Sequence, residues 1–129
     1  MIETFLAVKD LQVRDQIRMA FRLNPAFRMS TVPPPQLIDV IRESPQVDLV
    51  ITDAEADDTL MEEALVRIRE ANPRAAVVLV GDRSDGAPLN RAKLEHGVHT
   101  VIATPIDPFD LARRVFRLVA VLSGKRARV

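Results

Sequence analysis

The chain has 129 residues, enough for a single domain that buries a core without covalent staples. Its 18 basic and 18 acidic side chains cancel to a formal net charge of zero, which argues against a general nucleic-acid or membrane-surface binder carrying a basic excess on one face. The lack of cysteine removes disulfide frameworks, thiolate metal sites and thiol nucleophiles together and fits a reducing, cytoplasmic setting, while five Phe with no Trp or Tyr leave little to stack on single-stranded nucleic acid.

Met1-Ile2-Glu3 opens no basic-then-apolar leader, and no apolar run approaches the length of a membrane span, so a soluble protein is expected. Thr4 to Val8 is a compact apolar run closed by Lys9-Asp10 and predicts a first strand. Val13, Ile17, Ala20, Phe21 and Asn24 then recur at helical spacing. Asn24-Pro25 ends that helix, because the residue before proline is pushed out of the α region, and Phe27 to Val32 resumes an extended alternation. Pro33-Pro34-Pro35 is a stiff connector whose last member opens a helix with Leu37, Ile38, Val40 and Ile41 as its apolar face; Ser44-Pro45 closes it.

Val47 to Asp53 holds a short apolar strand, Leu49 to Thr52, that stops on a carboxylate. An unalternating aliphatic run suits a strand covered on both faces, and ligand sites in such sheets lie beyond the carboxyl ends of the strands, where Asp53 would stand. A loop from Ala54 to Asp58 follows, with Asp58 or Thr59 capping a helix from Leu60 to Ala71 that Asn72-Pro73 stops. Ala76 to Val80 repeats the buried-strand pattern, and Gly81 to Gly86 is rich in turn formers before a helix around Leu89 to Glu95, ended by His96-Gly97. Thr100 to Ala103 predicts a fifth strand, Thr104 to Pro108 a proline-flanked turn, and Phe109 to Leu122 a strongly apolar last helix. Gly124 and the basic Lys125 to Val129 read as a frayed end or linker start, which makes residues 1–123 the domain and 124–129 a tail. Strands alternate with helices five times over, as in a doubly wound α/β domain with a five-stranded parallel sheet and five helices.

Five βα units, an aspartate after the third strand, Arg-Ile-Arg-Glu-Ala-Asn-Pro at 67 to 73 and a Pro-x-Asp-Pro turn after the fifth strand resemble the receiver domains of two-component response regulators. The resemblance spans roughly residues 2 to 123, as befits one domain. It implies a flavodoxin-like sheet of strand order 2-1-3-4-5 and makes Asp53 the equivalent of the phosphoacceptor. It also exposes departures. The family's two acids after the first strand, which help hold magnesium, are matched by Lys9-Asp10; the Ser or Thr at the end of the fourth strand by Gly81; the Lys of the Lys-Pro dipeptide by Thr104; and the switching aromatic of the fifth strand by Val101. The Pro and Gly of the loop after the acceptor are matched by Asp57 and Met61.

Phosphoryl transfer to a carboxylate brings negative charge onto a negative group, so it depends on positioning and on neutralisation by metal and cationic side chains. Magnesium requires near-octahedral oxygen coordination; Asp10 and Asp53 offer two carboxylates, but Lys9 sets a positive charge beside the seat, leaving at most weak magnesium binding and no other cofactor. Readout through a moving hydroxyl and a following aromatic is closed to Gly81 and Val101. The expectation is a degenerate receiver, not an enzyme, that serves as a phosphorylation-independent interaction module for signalling proteins. Its Lys9 ammonium would stand in for the missing metal, or else point into solvent. The alternatives are a working receiver phosphorylated on Asp53 and a sensory domain holding a small molecule in the rim pocket opened by Gly81 and Thr104.

Other features favour plain readings. Glu55, Asp57, Asp58, Glu62 and Glu63 suit a solvated loop and first helical turn better than a calcium site. His96 and His99 flank a glycine at a helix end, and Ser84 sits in no nucleophile elbow. The last helix is apolar over more than the stripe a sheet-covering helix needs; Phe109, Val115, Phe116 and Val119 are its candidate interaction face, for a homodimer or a signalling partner, and the resemblance implies a surface shared with the fourth helix and fifth strand.

Overall fold

The structure is a computed structural model and describes residues 1–53, 61–82 and 98–127. Strands β1 (Ile2–Ala7), β2 (Phe27–Thr31), β3 (Leu49–Asp53), β4 (Ala76–Asp82) and β5 (Thr100–Thr104) form one parallel sheet in the order β2-β1-β3-β4-β5. The helices are α1 (Leu11–Arg22), α2 (Leu37–Arg42), α3 (Met61–Ala71) and α4 (Pro108–Ala127), with a short 3-10 turn at Pro34–Gln36 leading into α2. This is the flavodoxin-like arrangement, with four α-helices among the described residues. The loop expected at 54–58, its capping Asp58 or Thr59, the loop residues 83–86 with Ser84, and the helix and His96-Gly97 stop expected over 89–97 lie outside the described residues.

The sheet is apolar on both sides because both sides are covered. Leu49 and Ile51 of β3 and Ala76, Val78 and Val80 of β4 face one cluster with Ile17 and Phe21 of α1 and Leu111, Val115, Leu118 and Leu122 of α4. The alternate residues Val50, Val77 and Leu79 face a second cluster with Leu37 and Ile41 of α2 and Leu65 and Ile68 of α3. A period of two within a continuous aliphatic run thus feeds two cores at once. Phe21 is fully buried and meets Phe27 edge-on, with ring centroids 4.7 Å apart.

Both Asn-Pro dipeptides stop a helix in the same way. Asn24 Oδ1 accepts from the Ala26 amide at 3.0 Å and Asn72 Oδ1 from the Arg74 amide at 3.0 Å, so each side chain turns the chain by capturing a backbone donor two residues on. Asn72 is buried, and its Nδ2 also reaches Pro45 O at 3.5 Å.

Several elements run further than the sequence reading set them: β1 begins at Ile2, β3 ends on Asp53 and β5 on Thr104, and two extensions are longer or bear on the rim. Gly81 and Asp82 belong to β4 and pair with Ala103 and Thr104 of β5, whereas a turn was expected from Gly81. Backbone pairing with the neighbouring strand outweighs the turn preference of Gly-Asp. Helix α4 starts at Pro108, with Asp107 Oδ1 accepting the Phe109 and Asp110 amides at 2.9 and 3.3 Å, and it passes through Gly124 to Ala127, beyond Leu122. A Cβ added at Gly124 would meet nothing within 4 Å. Glycine there loses helix propensity without gaining a contact, so Gly124→Ala raises the unfolding free energy by up to about 1 kcal/mol. Phe21→Ala, by contrast, loses about 3–5 kcal/mol. Urea melts of the two variants against the parent chain check both signs.

Candidate functional site

The carboxyl ends of β1, β3, β4 and β5 form a rim that carries Lys9, Asp10, Asp53, Gly81 and Thr104. Asp53 is the last residue of β3 and pairs with Val80, so the strand delivers its carboxylate to the edge of the sheet. Its Oδ2 accepts the Lys9 backbone N–H at 2.8 Å, and its Oδ1 is shielded from solvent. Lys9 is exposed.

Asp10 has a structural task at this rim. It is the N-cap of α1, its Oδ1 accepting the Gln12 and Val13 amides at 2.9 and 3.1 Å. A carboxylate at that position satisfies orphan donors of the first turn and suits the positive end of the helix dipole. The sequence reading weighed Asp10 only as one of a pair of acids; the signal for the cap was an Asp ahead of the periodic residues that begin near Val13.

Across the rim, Thr104 Oγ1 donates to the Gly81 carbonyl at 3.4 Å, linking the ends of β4 and β5, and the Thr104-Pro105 peptide is cis. Val101 lies in β5 opposite Leu79 and packs, partly buried, against the α2/α3 core. The five rim residues are therefore brought to one edge of the sheet, and Val101 sits deeper in it.

Magnesium, the metal that the fold family implies here, needs several well-placed oxygens. The described residues do not fit it. Asp53 and Asp10 each have one carboxylate oxygen engaged by main-chain amides, and a lysine stands where a further acid would serve. No group of three or more His, Asp or Glu among the described residues converges on a metal-sized site.

The candidate interaction face divides in the structure. Phe109 and Phe116 are 83% and 75% exposed, but Val115 is 3% exposed and belongs to the core, and Val119 packs against that core partly buried. At 100° per residue, Val115 shares the sheet-facing stripe with Leu111, Leu118 and Leu122, whereas Phe109 and Phe116 lie well round the helix. The neighbour of Phe116 is also different from the one expected. It borders a groove of about 480 Å³ with Met19, Ala20 and Leu23 of α1, not a surface shared with β5. The β5 side of α4 carries a smaller depression of about 200 Å³, lined by His99, Thr100, Arg114, Arg117, Leu118 and Val121. There Arg114 Nε donates to Asp110 Oδ2 at 2.9 Å and Nη1 to Thr100 Oγ1 at 3.1 Å. The Arg114 hydrogen bond, helped by the charges of Arg114, Arg113 and Arg117 and opposed by burial, holds the Asp110 carboxyl below its usual value.

No protein-family model matches this chain, and no curated protein matches it by sequence. Solved structures match its fold throughout. The receiver domain of an HD domain-containing protein from Pseudomonas fluorescens Pf-5 superposes with a TM-score of 0.80 at 19% identity, over 99% of this chain and 93% of that one. A response regulator receiver domain protein from Clostridium thermocellum gives 0.80 at 15% identity over 100% of both chains. A protein described as a pilus assembly protein, CpaE, from Burkholderia thailandensis gives 0.73 at 20% identity, over 93% of this chain and 99% of that one. At these identities the likeness is one of fold.

Asp10→Ala removes the cap and lowers stability by about 1 kcal/mol, whereas Asp10→Asn, which still offers an acceptor oxygen, keeps most of it. Thermal or urea unfolding distinguishes the two. A depressed carboxyl contributes stability above its unfolded pKa, roughly 3.9, and loses it as pH falls through the lower folded value. Arg114→Ala moves the Asp110 titration upward, as carboxyl NMR would follow, with little change in stability at neutral pH because the pair is exposed.

Proposed function

We propose that the chain is a degenerate receiver: a regulatory module in signal transduction that other proteins read by its surface and that aspartyl phosphorylation does not switch. Residues 1–123 carry the unit, it is not an enzyme, and its setting is the cytoplasm with a signalling protein as partner. The observation that carries this reading is the company Asp53 keeps. Its Oδ2 is held by a neutral amide, the residue that follows β4's apolar run is Gly81 without a side chain, and Thr104 hydrogen-bonds a carbonyl where a phosphoryl group would need an ammonium. Catalysis of phosphoryl transfer rests on cations placed around the moving charge, and this rim keeps few of the groups that would supply them.

On this reading the Lys9 ammonium takes the part a metal would otherwise play and holds the rim in one state. A fold that recurs in a protein described as a pilus assembly protein agrees with a module built into protein assemblies as much as with a phosphorelay. The survival of Asp53 at the end of β3 favours a second reading, a working receiver phosphorylated at that residue.

Incubation with magnesium and acetyl phosphate, followed by intact mass measurement, separates the two. The mass stays unchanged on the first reading; a stable gain of one phosphoryl group at Asp53 overturns it. Lys9→Asp restores measurable magnesium binding if the ammonium replaces the metal, and unchanged affinity in that variant removes that part of the argument.

A further inference from the structure

Helix α1 carries Arg14, Arg18 and Arg22 at four-residue spacing, which sets them in a row along its length, against a single acidic residue, Asp15. The row is poorly neutralised. Asp15 Oδ1 stands 3.9 Å from both Arg14 Nε and Arg18 Nη1, at the outer limit of an ion pair, and the Arg14 Nε is shielded from solvent with no hydrogen-bond partner. Like charges four apart in a helix repel, so the row costs stability unless an anion meets it. Arg22, in the last turn, suits the negative end of the helix; Arg14 and Arg18 have no such role.

The row borders the edge of the sheet. β2 is an outer strand, and a groove of about 450 Å³ runs between it and α1, with Met19, Phe21, Phe27 and Met29 along it and Arg18 and Arg22 at its side. The Val32 amide donates to Leu6 O at 2.9 Å, and a strand turns successive peptide groups to opposite sides. The amides and carbonyls of Met29 and Thr31 therefore point away from β1, where no strand lies among the described residues. No proline interrupts Phe27–Thr31 to block pairing there.

Building on the reading of the chain as a surface-recognised module, we propose that β2 and the arginine row form one docking site for an extended acidic segment of a partner protein. The segment pairs with the open edge of β2 as a further strand and sets carboxylates at alternate positions against Arg14, Arg18 and Arg22. The spacings agree: arginines four apart on a helix lie about 6 Å apart along its axis, and alternate residues of a strand, those that point to one face, lie about 6.6 Å apart. A strand added beside β2 turns every second side chain to the α1 side of the sheet, where Phe27 and Met29 already point. Main-chain pairing supplies affinity with little regard to sequence, and the guanidinium forks select carboxylates. A nucleic-acid strand would meet the same cations, but it has no peptide edge to pair with β2, and the chain's zero net charge gives it no attractive field.

Fluorescence anisotropy of a labelled peptide, Thr-Glu-Val-Glu-Thr-Glu-Thr, titrated with the 129-residue chain and no phosphodonor, tests this; a peptide of the same composition with its glutamates contiguous is the control. Saturable binding of the alternating peptide is expected, about tenfold tighter than that of the control and weakening as salt rises. Arg18→Glu and Arg22→Glu each lower the affinity by about tenfold or more. Thr31→Pro, which removes an outward donor at an exposed edge position where proline is tolerated, lowers it with no change of charge. Arg42→Glu, on α2 across the sheet, leaves it unchanged, and all four variants keep the parent's far-ultraviolet dichroism, their side chains being exposed. In the complex, hydrogen exchange slows at the Met29 and Thr31 amides and not at Arg28 and Ser30, which face β1. Absence of saturable binding overturns the proposal, as does equal affinity for the two peptides or a Thr31→Pro chain that binds like the parent, since either marks a diffuse cationic patch. Tighter binding of a heptathymidylate than of the peptide assigns the row to nucleic acid and overturns it too. Peptide binding that appears only after phosphorylation of Asp53 sinks the phosphorylation-independent reading and leaves the docking site standing; a chain that takes no phosphoryl group and binds no peptide does the reverse.

Discussion

The central strands β3 and β4 of a parallel sheet covered on both faces leave little room for polar side chains, and that constraint orders the molecule. Leu49, Val50 and Ile51 are fully buried, as are Val77, Val78 and Leu79, so every residue of the strand centres belongs to one of two cores. Polar groups are admitted where strands end. Asp53 closes β3 and Lys9 and Asp10 follow β1, so the rim is the place where side chains can change with little effect on the packing beneath them. The same fold is shared with solved structures at 15–20% identity.

Within that rim the backbone engages the polar side chains directly. The Lys9 amide holds Asp53 Oδ2, the first turn of α1 holds Asp10, and Thr104 closes on the Gly81 carbonyl. Each is a modest interaction, of about 1 kcal/mol when the partners are neutral and somewhat more when one is ionised. Together they favour one arrangement of the β1, β3, β4 and β5 ends. A switch requires two arrangements of similar energy that a ligand or modification can bias, and every contact of this kind widens the gap between them.

Much of the fold was legible because its punctuation is mechanical. Asn24-Pro25 and Asn72-Pro73 stop helices through the same side-chain turn, and the aliphatic runs at 49–52 and 76–80 announce strands buried on both faces. What was not legible depends on neighbours. Gly81 and Asp82 look like a turn in isolation and become strand only because β5 lies alongside. Asp10 looks like half of an acidic pair until the helix it caps is in place. The candidate face on α4 failed at Val115 for a related reason: a broad apolar arc shows that a helix has more than one contact, but its rotation against the sheet decides which residues make which.

That rotation also separates the two halves of the molecule's chemistry. α1 begins at the rim with its Asp10 cap and ends beside the exposed Leu23, so one helix connects the Asp53 edge to the groove it shares with α4. Its core stripe, Ile17 and Phe21, is locked against the sheet, and a locked helix cannot pass a sub-ångström change at its start to a partner at its end unless a second packing exists. With that stripe fully buried, the packing of α1 on the sheet fixes where Leu23 stands at the groove.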